Sequence, residues 1–400
     1  MNDKNDNHLN MQPNKDNNDY YIMQLNELIN DILIIDKRPV KIMNMQQKQR
    51  GCWDWFLSKI TFWKKDDSSK EKQTFVGLIN IGNNCYLNAG LQILSRCYPL
   101  IKVLLESNYQ EDKLMKLFVE AMVTLLFNKD KIYDPTEFIK CFCERNEDFT
   151  PGKPQCSQDF VRTILRNINE TFEKNVMYEY YNPSEEEEKK MYESLILKNN
   201  IFPQTKAYSI FSGILKITIT GICNNCGKEI EIKNYSFNNF VDQIIYLDSF
   251  NEKCKFSEVL AKNIGQENKV SMNCPKCDEK IKCKSVSKFV KIPDIFIFTL
   301  ERYIKPNKVP IEPDDFINID DLVDKSIQIR ENNCIYKLFA INIRLGNDEF
   351  FGHEICQIED KNNWYTINDK EYHIKKENYY ENSYGLFYKR IICEKNEYNN

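Results

Sequence analysis

The sequence predicts an α+β protein in which a helical part comes before a stranded part. Apolar residues recur at helical spacing in several segments from Phe75 to about Lys174, such as KLMKLFVEAMVTLLF. The period then changes, because GILKITITGI, which starts at Gly213, alternates apolar and polar residues as a half-buried strand does. Strand-like patterns continue in FVKIPDIFIFTLERY, YKLFAINIRL and WYTIND.

The composition argues against several classes of protein. The 400 residues carry a net charge of −4, which gives no electrostatic reason to expect a nucleic-acid partner. No stretch approaches the ~20 apolar residues of a transmembrane segment, and the polar first residues lack the apolar core of a signal peptide. Fifteen cysteines in such a chain predict a reducing compartment, cytoplasm or nucleus, where thiols and metal ligands are favoured over disulfides.

Segments outside the main domain are predicted to be tails and an extension. Residues 1–19, rich in Asn, Asp and Lys, are predicted to be a disordered tail, and residues 391–400 a second tail. Residues 20–74 form a predicted N-terminal extension with a helix and the aromatic cluster CWDWFLSKITFW. Packing of this cluster onto the following domain is favoured over an interfacial membrane anchor. Further along, the charged run SEEEEKK is predicted to be a solvated loop.

The segment GLINIGNNCYLNAGLQIL places Cys85 between an Asn/Gly-rich turn and an apolar helical pattern. The unpaired N–H groups and the dipole at a helix N-terminus favour the thiolate form of a cysteine. Most free cysteines, however, are only small buried apolar side chains. A nucleophilic role for Cys85 therefore also needs a base, an orienting group and an oxyanion site.

His353 is the candidate base. Of the three histidines, His8 lies in the predicted tail and His373 is flanked by charges, as a surface residue would be. His353 begins a strand-like run after a turn, where it could take the proton of a thiol. The later segment WYTIND offers Asn368 and Asp369, either of which could accept the imidazole N–H and fix the tautomer. Adjacent strand residues point to opposite faces, so only one of the two can face His353.

An oxyanion site needs hydrogen-bond donors placed where charge develops on the carbonyl oxygen. Asn80 lies on the same turn as the candidate nucleophile, five residues before it. Its side-chain amide and the backbone N–H of Cys85 could serve together as the donors.

Two CxxC pairs predict a structural zinc site with four thiolate ligands. The pairs are Cys223 with Cys226 and Cys274 with Cys277. The long separation between the pairs fits a long hairpin better than a compact zinc ribbon. The alternative is four unrelated buried cysteines, and Cys254 and Cys283 lie near enough in sequence to substitute for a ligand.

Taken together, these segments resemble the ubiquitin-specific proteases. GLINIGNNCYLNAGLQIL resembles the Cys box of that family, and FGHEICQIEDKNNWYTIND resembles its His box. Further landmarks follow in the family order, namely SQDF, FSGILKI, KIPDIFIFTLERY and YGLFYKR. The resemblance implies a papain-like cysteine protease core in a right-hand arrangement of helical thumb, β palm and zinc-bearing β fingers. It assigns the catalytic domain to residues 75–390, with the fingers at about 212–290.

The same resemblance implies roles for individual residues. Cys85 would be the nucleophile, His353 the general base, Asn368 the orienting residue and Asn80 the oxyanion donor, with Asp369 as the reserve candidate for orientation. The implied activity is thiol-dependent hydrolysis of the bond after the C-terminal glycine of ubiquitin. Ubiquitin and ubiquitinated proteins are the implied partners of what we expect to be a monomer.

Two residues depart from the family pattern. Glu354 stands where family members usually have Tyr, and Arg162 stands where they usually have Glu. Either change could alter how ubiquitin or its tail is held, although neither removes a group that makes or breaks bonds. The alternatives are a catalytically impaired ubiquitin-binding module, a protease for a ubiquitin-like modifier, and a zinc-ribbon adaptor, which would leave the His box unexplained.

Overall fold

The fold is described from a computed structural model. The described residues run from 75 to 391 and belong to one compact unit of the chain. Nine stretches within this range are not described: 108, 110, 128–131, 173–185, 199–203, 226–229, 303–307, 325–333 and 347–351. The predicted first tail and N-terminal extension lie outside the described residues, as does the second tail beyond its first residue.

Helices dominate the first part of the described chain, as the sequence predicts. They are α1 Cys85–Leu94, α2 Tyr98–Glu106, α3 Lys113–Phe127, α4 Thr136–Arg145, α5 Ser157–Thr171, α6 Glu186–Lys198, α7 Lys206–Ser209 and, later in the chain, α8 Phe256–Asn263. A 3₁₀ turn spans Asp320–Leu322. None of the described helices combines the length and apolar character needed to cross a bilayer.

Strands follow from Gly213 onward. They are β1 Gly213–Cys223, β2 Ile230–Phe240, β3 Gln243–Tyr246, β4 Cys254–Lys255, β5 Asn268–Asn273, β6 Lys280–Lys291, β7 Ile295–Glu301, β8 Ile311–Glu312, β9 Phe316–Asn318, β10 Ile335–Leu345, β11 His353–Asp360, β12 Asn363–Asn368, β13 Glu371–Ile374 and β14 Ser383–Arg390. The α+β prediction is therefore confirmed.

The strands form two larger sheets. The main sheet has the order β13-β12-β11-β10-β14-β7-β3, with β9 also paired to β10. Its neighbours are antiparallel except for the parallel pair of β3 and β7. The second sheet is antiparallel, with the order β2-β1-β6-β5. A short parallel pair joins β4 to β8.

Packing of α1 against the main sheet places the candidate nucleophile beside the candidate base. Helix α1 packs on β10, β11 and β12 and also contacts α5. At the contact with α5, Gly90 approaches the ring of Phe160 so closely that a β-carbon would lie 2.5 Å from a ring atom. All ten residues of α1 are buried, because the main sheet covers one side of the helix and neighbouring helices cover another.

The acidic run SEEEEKK is not a loop, and this prediction is wrong. Its described part begins α6, which packs against β2. Glu188 of this helix is only 6% exposed and lies 2.6 Å from the ammonium group of Lys216 on β1. Asp324 lies 2.5 Å from the same ammonium group. Lys216, a buried lysine paired with two carboxylates, thus joins α6 to strand β1 of the second sheet.

Candidate active site

The Asn/Gly turn ends directly at the nucleophile, because α1 begins at Cys85. Gly82 and Asn83 adopt positive φ angles of 118° and 52°, a conformation that glycine and asparagine tolerate best. The Asn84 side chain accepts a hydrogen bond from the N–H of Ile81 at 2.7 Å and so closes the turn. These contacts place the Cys85 sulfur at the start of α1, near the backbone N–H groups that a helix N-terminus leaves unpaired.

His353 lies between Cys85 and Asn368 in the structure. Its Nε2 atom is 2.6 Å from the side-chain oxygen of Asn368. Because that amide oxygen can only accept, Nε2 carries a proton and Nδ1 is the nitrogen left for the sulfur. The pKa of His353 is raised to about 9, first by its hydrogen bond to Cys85 and further by Asn368 and the charge of Asp369, while burial opposes the shift. The site therefore favours an imidazolium beside the sulfur.

Asp369 contacts the oxyanion side of the site. It follows the end of β12 with a left-handed φ of 50°, so it is a turn residue rather than a strand residue. Its carboxylate accepts hydrogen bonds from the side-chain amides of Asn80 at 2.9 Å and Asn88 at 2.7 Å. Its carbonyl oxygen accepts the N–H of Leu78 at 2.9 Å. The structure thus brings Asn368 to the histidine and Asp369 to the Asn80 turn.

Asn84 and Asn88 also belong to the site, although the sequence did not predict a role for them. The Asn84 amide donates to the side-chain oxygen of Asn88 at 3.1 Å, and both residues are almost fully buried. With Asn80 they form a series at four-residue spacing, in which Asn84 immediately precedes α1 and Asn88 lies within it. This spacing could have indicated that the three asparagines lie close together, and buried side-chain amides need hydrogen-bond partners.

Glu354 faces away from His353 and is buried. Its side chain is 1% exposed. The carboxylate accepts hydrogen bonds from the backbone N–H and hydroxyl of Ser157 and from the Asn342 amide. The Arg344 guanidinium lies 3.6 Å away. Burial raises the pKa of the Glu354 carboxyl, whereas these donors lower it.

Arg162 is paired on α5 rather than free to meet a ligand. Its guanidinium contacts Asp159 one turn earlier at 2.5 Å and also the buried carboxylate of Asp242. Asp242 in turn accepts a hydrogen bond from the Thr299 hydroxyl. The Arg162 cation is thus balanced within the fold by two carboxylates.

The predicted metal ligands that the structure describes lie together at one end of the second sheet. Cys223 ends β1, and Cys274 and Cys277 lie in the turn that leads from β5 to β6. The three sulfur atoms all lie within 4.8 Å of one another. The pKa of Cys274 is lowered to about 7, chiefly by a hydrogen bond from the backbone N–H of Lys276. The three thiols are therefore close enough to hold a metal ion.

The fourth predicted ligand, Cys226, lies outside the described residues. Of the two substitutes, Cys283 is buried in the same apolar cluster as Cys223 and Cys274. Cys254 instead packs against the core of the main sheet. Geometry among the described residues thus leaves Cys283, and not Cys254, beside the thiol cluster.

The site has a cysteine at a helix N-terminus, hydrogen-bonded to a histidine whose ring an asparagine also holds. This arrangement is typical of cysteine hydrolases. The family model described as ubiquitin carboxyl-terminal hydrolase matches residues 76–388. The chain belongs to this family.

Curated relatives carry the same family name at low identity. The chain is 24% identical over 343 residues to ubiquitin carboxyl-terminal hydrolase 48 of Danio rerio, covering 80% of this chain and 29% of the relative. It is 24% identical over 345 residues to ubiquitin carboxyl-terminal hydrolase 4 of Arabidopsis thaliana, covering 80% of this chain and 90% of the relative. It is 22% identical over 335 residues to ubiquitin carboxyl-terminal hydrolase 2 of Homo sapiens, covering 76% of this chain and 52% of the relative. The chain therefore spans only part of two of these three relatives.

Proposed function

We propose that this protein is a thiol-dependent deubiquitinase that hydrolyses the peptide or isopeptide bond after the C-terminal glycine of ubiquitin. The observation that carries the proposal is the hydrogen-bonded series of Cys85, His353 and Asn368. A raised histidine pKa supports a thiolate–imidazolium pair, which is the reactive form of a cysteine nucleophile. Membership of the ubiquitin carboxyl-terminal hydrolase family supports the choice of substrate.

The first half of the reaction forms a thioester. The Cys85 thiolate attacks the carbonyl carbon of the terminal glycine, and the electron pair of the C=O bond moves to oxygen. His353 then gives its Nδ1 proton to the departing lysine amine as the C–N bond breaks. In the second half, neutral His353 takes a proton from water, which attacks the thioester and releases Cys85.

Asn80 and the backbone N–H of Cys85 are the proposed oxyanion donors. One hydrogen of the Asn80 amide is held by Asp369, and its carbonyl oxygen accepts the N–H of Gly82 at 3.0 Å. The second amide hydrogen remains for the developing oxyanion, and the side chain that bears it is exposed to arriving substrate. Asp369 therefore supports the oxyanion site, while Asn368 is the orienting residue.

The finer architecture is part of the proposal. Helices α1 to α5 would form the thumb, the main sheet the palm, and the β2-β1-β6-β5 sheet the fingers. Cys223, Cys274 and Cys277 would hold a structural zinc ion, with Cys226 as the fourth ligand on the basis of its CxxC spacing. Such an ion would close the end of the fingers and take no part in the chemistry.

Partners and location follow from the same proposal. Ubiquitin and ubiquitinated proteins would be bound by a monomer, without nucleic acid. The proposed location is the cytoplasm or nucleus, because a chain with fifteen cysteines and two CxxC pairs suits a reducing compartment.

The proposal is tested by incubating the protein with ubiquitin whose C-terminus carries a thiol-reactive electrophile. We expect one covalent adduct, located on the Cys85 peptide by mass spectrometry, and turnover of a ubiquitin C-terminal fluorogenic amide. Ubiquitin-like modifiers with the same electrophile serve as the matched comparison. A faster adduct with one of them would change the substrate, and binding of ubiquitin without any adduct would indicate an impaired binding module.

A further inference from the structure

The backbone beside the nucleophile carries a contact that the proposed mechanism does not use. The N–H of Glu354 lies 3.4 Å from the Cys85 sulfur and donates to it. On one side, β11 pairs with β10 through Arg344 and Glu354. On the other side, pairing with β12 begins only at Cys356. The first residues of β11 therefore extend past β12, which leaves this N–H for the sulfur.

The side chain of Glu354 holds the unpaired end of β11 to another part of the protein. Its Oε2 atom accepts the backbone N–H of Ser157 at 3.1 Å and the Asn342 amide at 3.1 Å. Ser157 is the first residue of α5, so the carboxylate satisfies one of the N–H groups that a helix N-terminus leaves unpaired. The carboxylate thus fastens β11 to the start of α5.

Ser157 extends the connection to the nucleophile helix. Its hydroxyl lies within hydrogen-bond distance of both the Glu354 carboxylate and the carbonyl oxygen of Tyr86, the latter at 2.8 Å. Tyr86 is the residue that follows Cys85 in α1. Three segments that are distant in sequence, α1, α5 and β11, therefore meet at one hydroxyl and one carboxylate.

We propose that Glu354 is a positioning residue which, through Ser157, keeps its own backbone N–H directed at the Cys85 sulfur. The inference rests on the proposed function, because it assigns a purpose to the contact only if Cys85 is the nucleophile. It goes beyond that function in naming a buried carboxylate and a serine hydroxyl as parts of the support of the site. A buried carboxylate is costly unless it has partners, and three donors converge on Oε2 of Glu354: the backbone N–H and hydroxyl of Ser157 and the Asn342 amide. Oε1 makes no hydrogen bond and has the Arg344 guanidinium 3.6 Å away as an ion pair. The concentration of donors on one oxygen, directed at the start of α5, points to a positioning role.

The chemical consequence concerns the thiolate. A donor N–H at the sulfur stabilises its anionic form, so correct placement of Glu354 increases the fraction of thiolate paired with imidazolium. In its ionised form the carboxylate would, through space, oppose a thiolate. Positioning and charge thus predict opposite effects on Cys85 when the charge is removed.

Several other groups face this region and set the background for the test. The charged or titratable groups around Cys85 and Glu354 include Tyr86 on α1, Cys143 on α4, Cys156 next to α5, Arg344 on β10, His353 on β11 and Asp369 after β12. None of them is changed in the variants below.

The experiment measures the rate at which iodoacetamide alkylates Cys85 as a function of pH, read from the Cys85 peptide by mass spectrometry. The variants are Glu354→Gln, which removes the charge, and Ser157→Ala, which keeps the charge but removes the hydroxyl. The control is Glu359→Gln, because Glu359 is also a carboxylate on β11 and pairs with Lys337 at 3.1 Å, away from the sulfur.

We expect both Glu354→Gln and Ser157→Ala to move the alkylation midpoint to higher pH, whereas Glu359→Gln leaves it unchanged. Hydrolysis of the ubiquitin amide should show about tenfold lower kcat with little change in KM for both variants, since the contact supports the reacting atoms. A midpoint that moves to lower pH in Glu354→Gln, or that stays unchanged in both variants, would overturn positioning.

Two further readouts keep the outcomes separate. Thermal melting identifies any variant that does not fold, and if Glu354→Gln is unfolded the milder Ser157→Ala decides the matter alone. Alkylation needs no ubiquitin, so it tests positioning even if the wild-type protein does not cleave the ubiquitin substrate. Failure of the proposed function would appear as absent wild-type turnover, whereas failure of positioning would appear as unchanged alkylation in active protein.

Discussion

The side-chain amide of Asn80 donates to the Asp369 carboxylate at 2.9 Å, across 289 positions of the chain. The contact ties the turn before the nucleophile to the turn after the orienting asparagine. Tyr133 adds to the same connection, since its backbone pairs with both Gly77 and Ile79. The oxyanion side of the site is therefore braced by the turn that carries Asp369 and by the backbone of Tyr133.

Replacing Asp369 by Ala should lower kcat because the Asn80 amide would lose its fixed orientation. We expect Asn80→Ala to have a similar effect, of about 10²-fold, the usual loss when one oxyanion donor is removed. The double variant should be little worse than either single variant, since both remove the same support. Steady-state kinetics on the three variants tests this, and fully additive losses would show that the two residues act independently.

Replacing Asn368 by Ala should lower kcat and change the pH profile. The pKa of His353 is raised to about 9 mainly by its hydrogen bond with Cys85, and Asn368 adds to the shift because its oxygen accepts a hydrogen from the protonated ring. Removing it should move the alkaline limb of kcat/KM to lower pH, where the imidazolium now loses its proton. Asn368→Asp should retain substantial activity, since its carboxylate accepts the same bond. An alkaline limb that stays in place would contradict the assignment.

Replacing Cys85 by Ala should abolish hydrolysis of a ubiquitin fluorogenic amide while leaving ubiquitin binding measurable. The sulfur is the only proposed atom that bonds to substrate, and the change removes little volume from the helix N-terminus. Isothermal titration and turnover assays report the two properties separately. Cys156→Ala is a suitable control, because Cys156 is another buried thiol at a helix N-terminus. Turnover retained in Cys85→Ala would assign the nucleophile to another residue.

Replacing Cys274 by Ser should weaken metal binding and destabilise the second sheet, because binding and folding are coupled at structural zinc sites. Pure wild-type protein should contain about one zinc per chain, the capacity of a four-thiolate site. The measurements are elemental analysis and melting with and without a chelator, and Cys254→Ser serves as the control thiol outside the cluster. Metal-free wild-type protein that melts normally would refute the site.

Replacing Lys216 by Ala should lower the free energy of unfolding by about 3 kcal/mol, since two carboxylates would stay buried without their cation. Lys190→Ala is the matched control, because its ion pair with Glu186 on α6 is exposed and 3.9 Å long. That change should cost at most about 0.5 kcal/mol. Chemical denaturation of both variants provides the comparison, and equal losses would contradict the buried role of Lys216.

Much of the fold could be predicted because hydrophobic periodicity is local. The helical region before Gly213 and strands such as β1, β7, β10 and β12 follow from spacing in the sequence, and the turn before Cys85 follows from its Asn and Gly residues. The proximity of Cys85, His353 and Asn368 was expected from a family resemblance, since no local pattern reveals a contact between distant segments.

What the sequence did not reveal depends on tertiary partners. Glu188 lies in an acidic run that is typical of solvent, yet Lys216 stabilises it in a buried position. Asp369 reads as a strand residue, but its left-handed conformation turns it toward Asn80. Glu354 reads as a polar residue beside a histidine, whereas its burial depends on Ser157 and Asn342.

The contact between the Glu354 N–H and the Cys85 sulfur also bears on how the protein folds, since the two residues are 269 positions apart. Closing so long a loop costs entropy before the contact repays it, so such contacts form late. The helices around Cys85 can form from local interactions, whereas the thiol gains its partners only when the β11 region has docked. During refolding, enzymatic activity should therefore return after helical circular dichroism. A nascent chain that has not yet acquired β11 carries Cys85 without its histidine, which delays activation of the thiol until the domain is nearly complete.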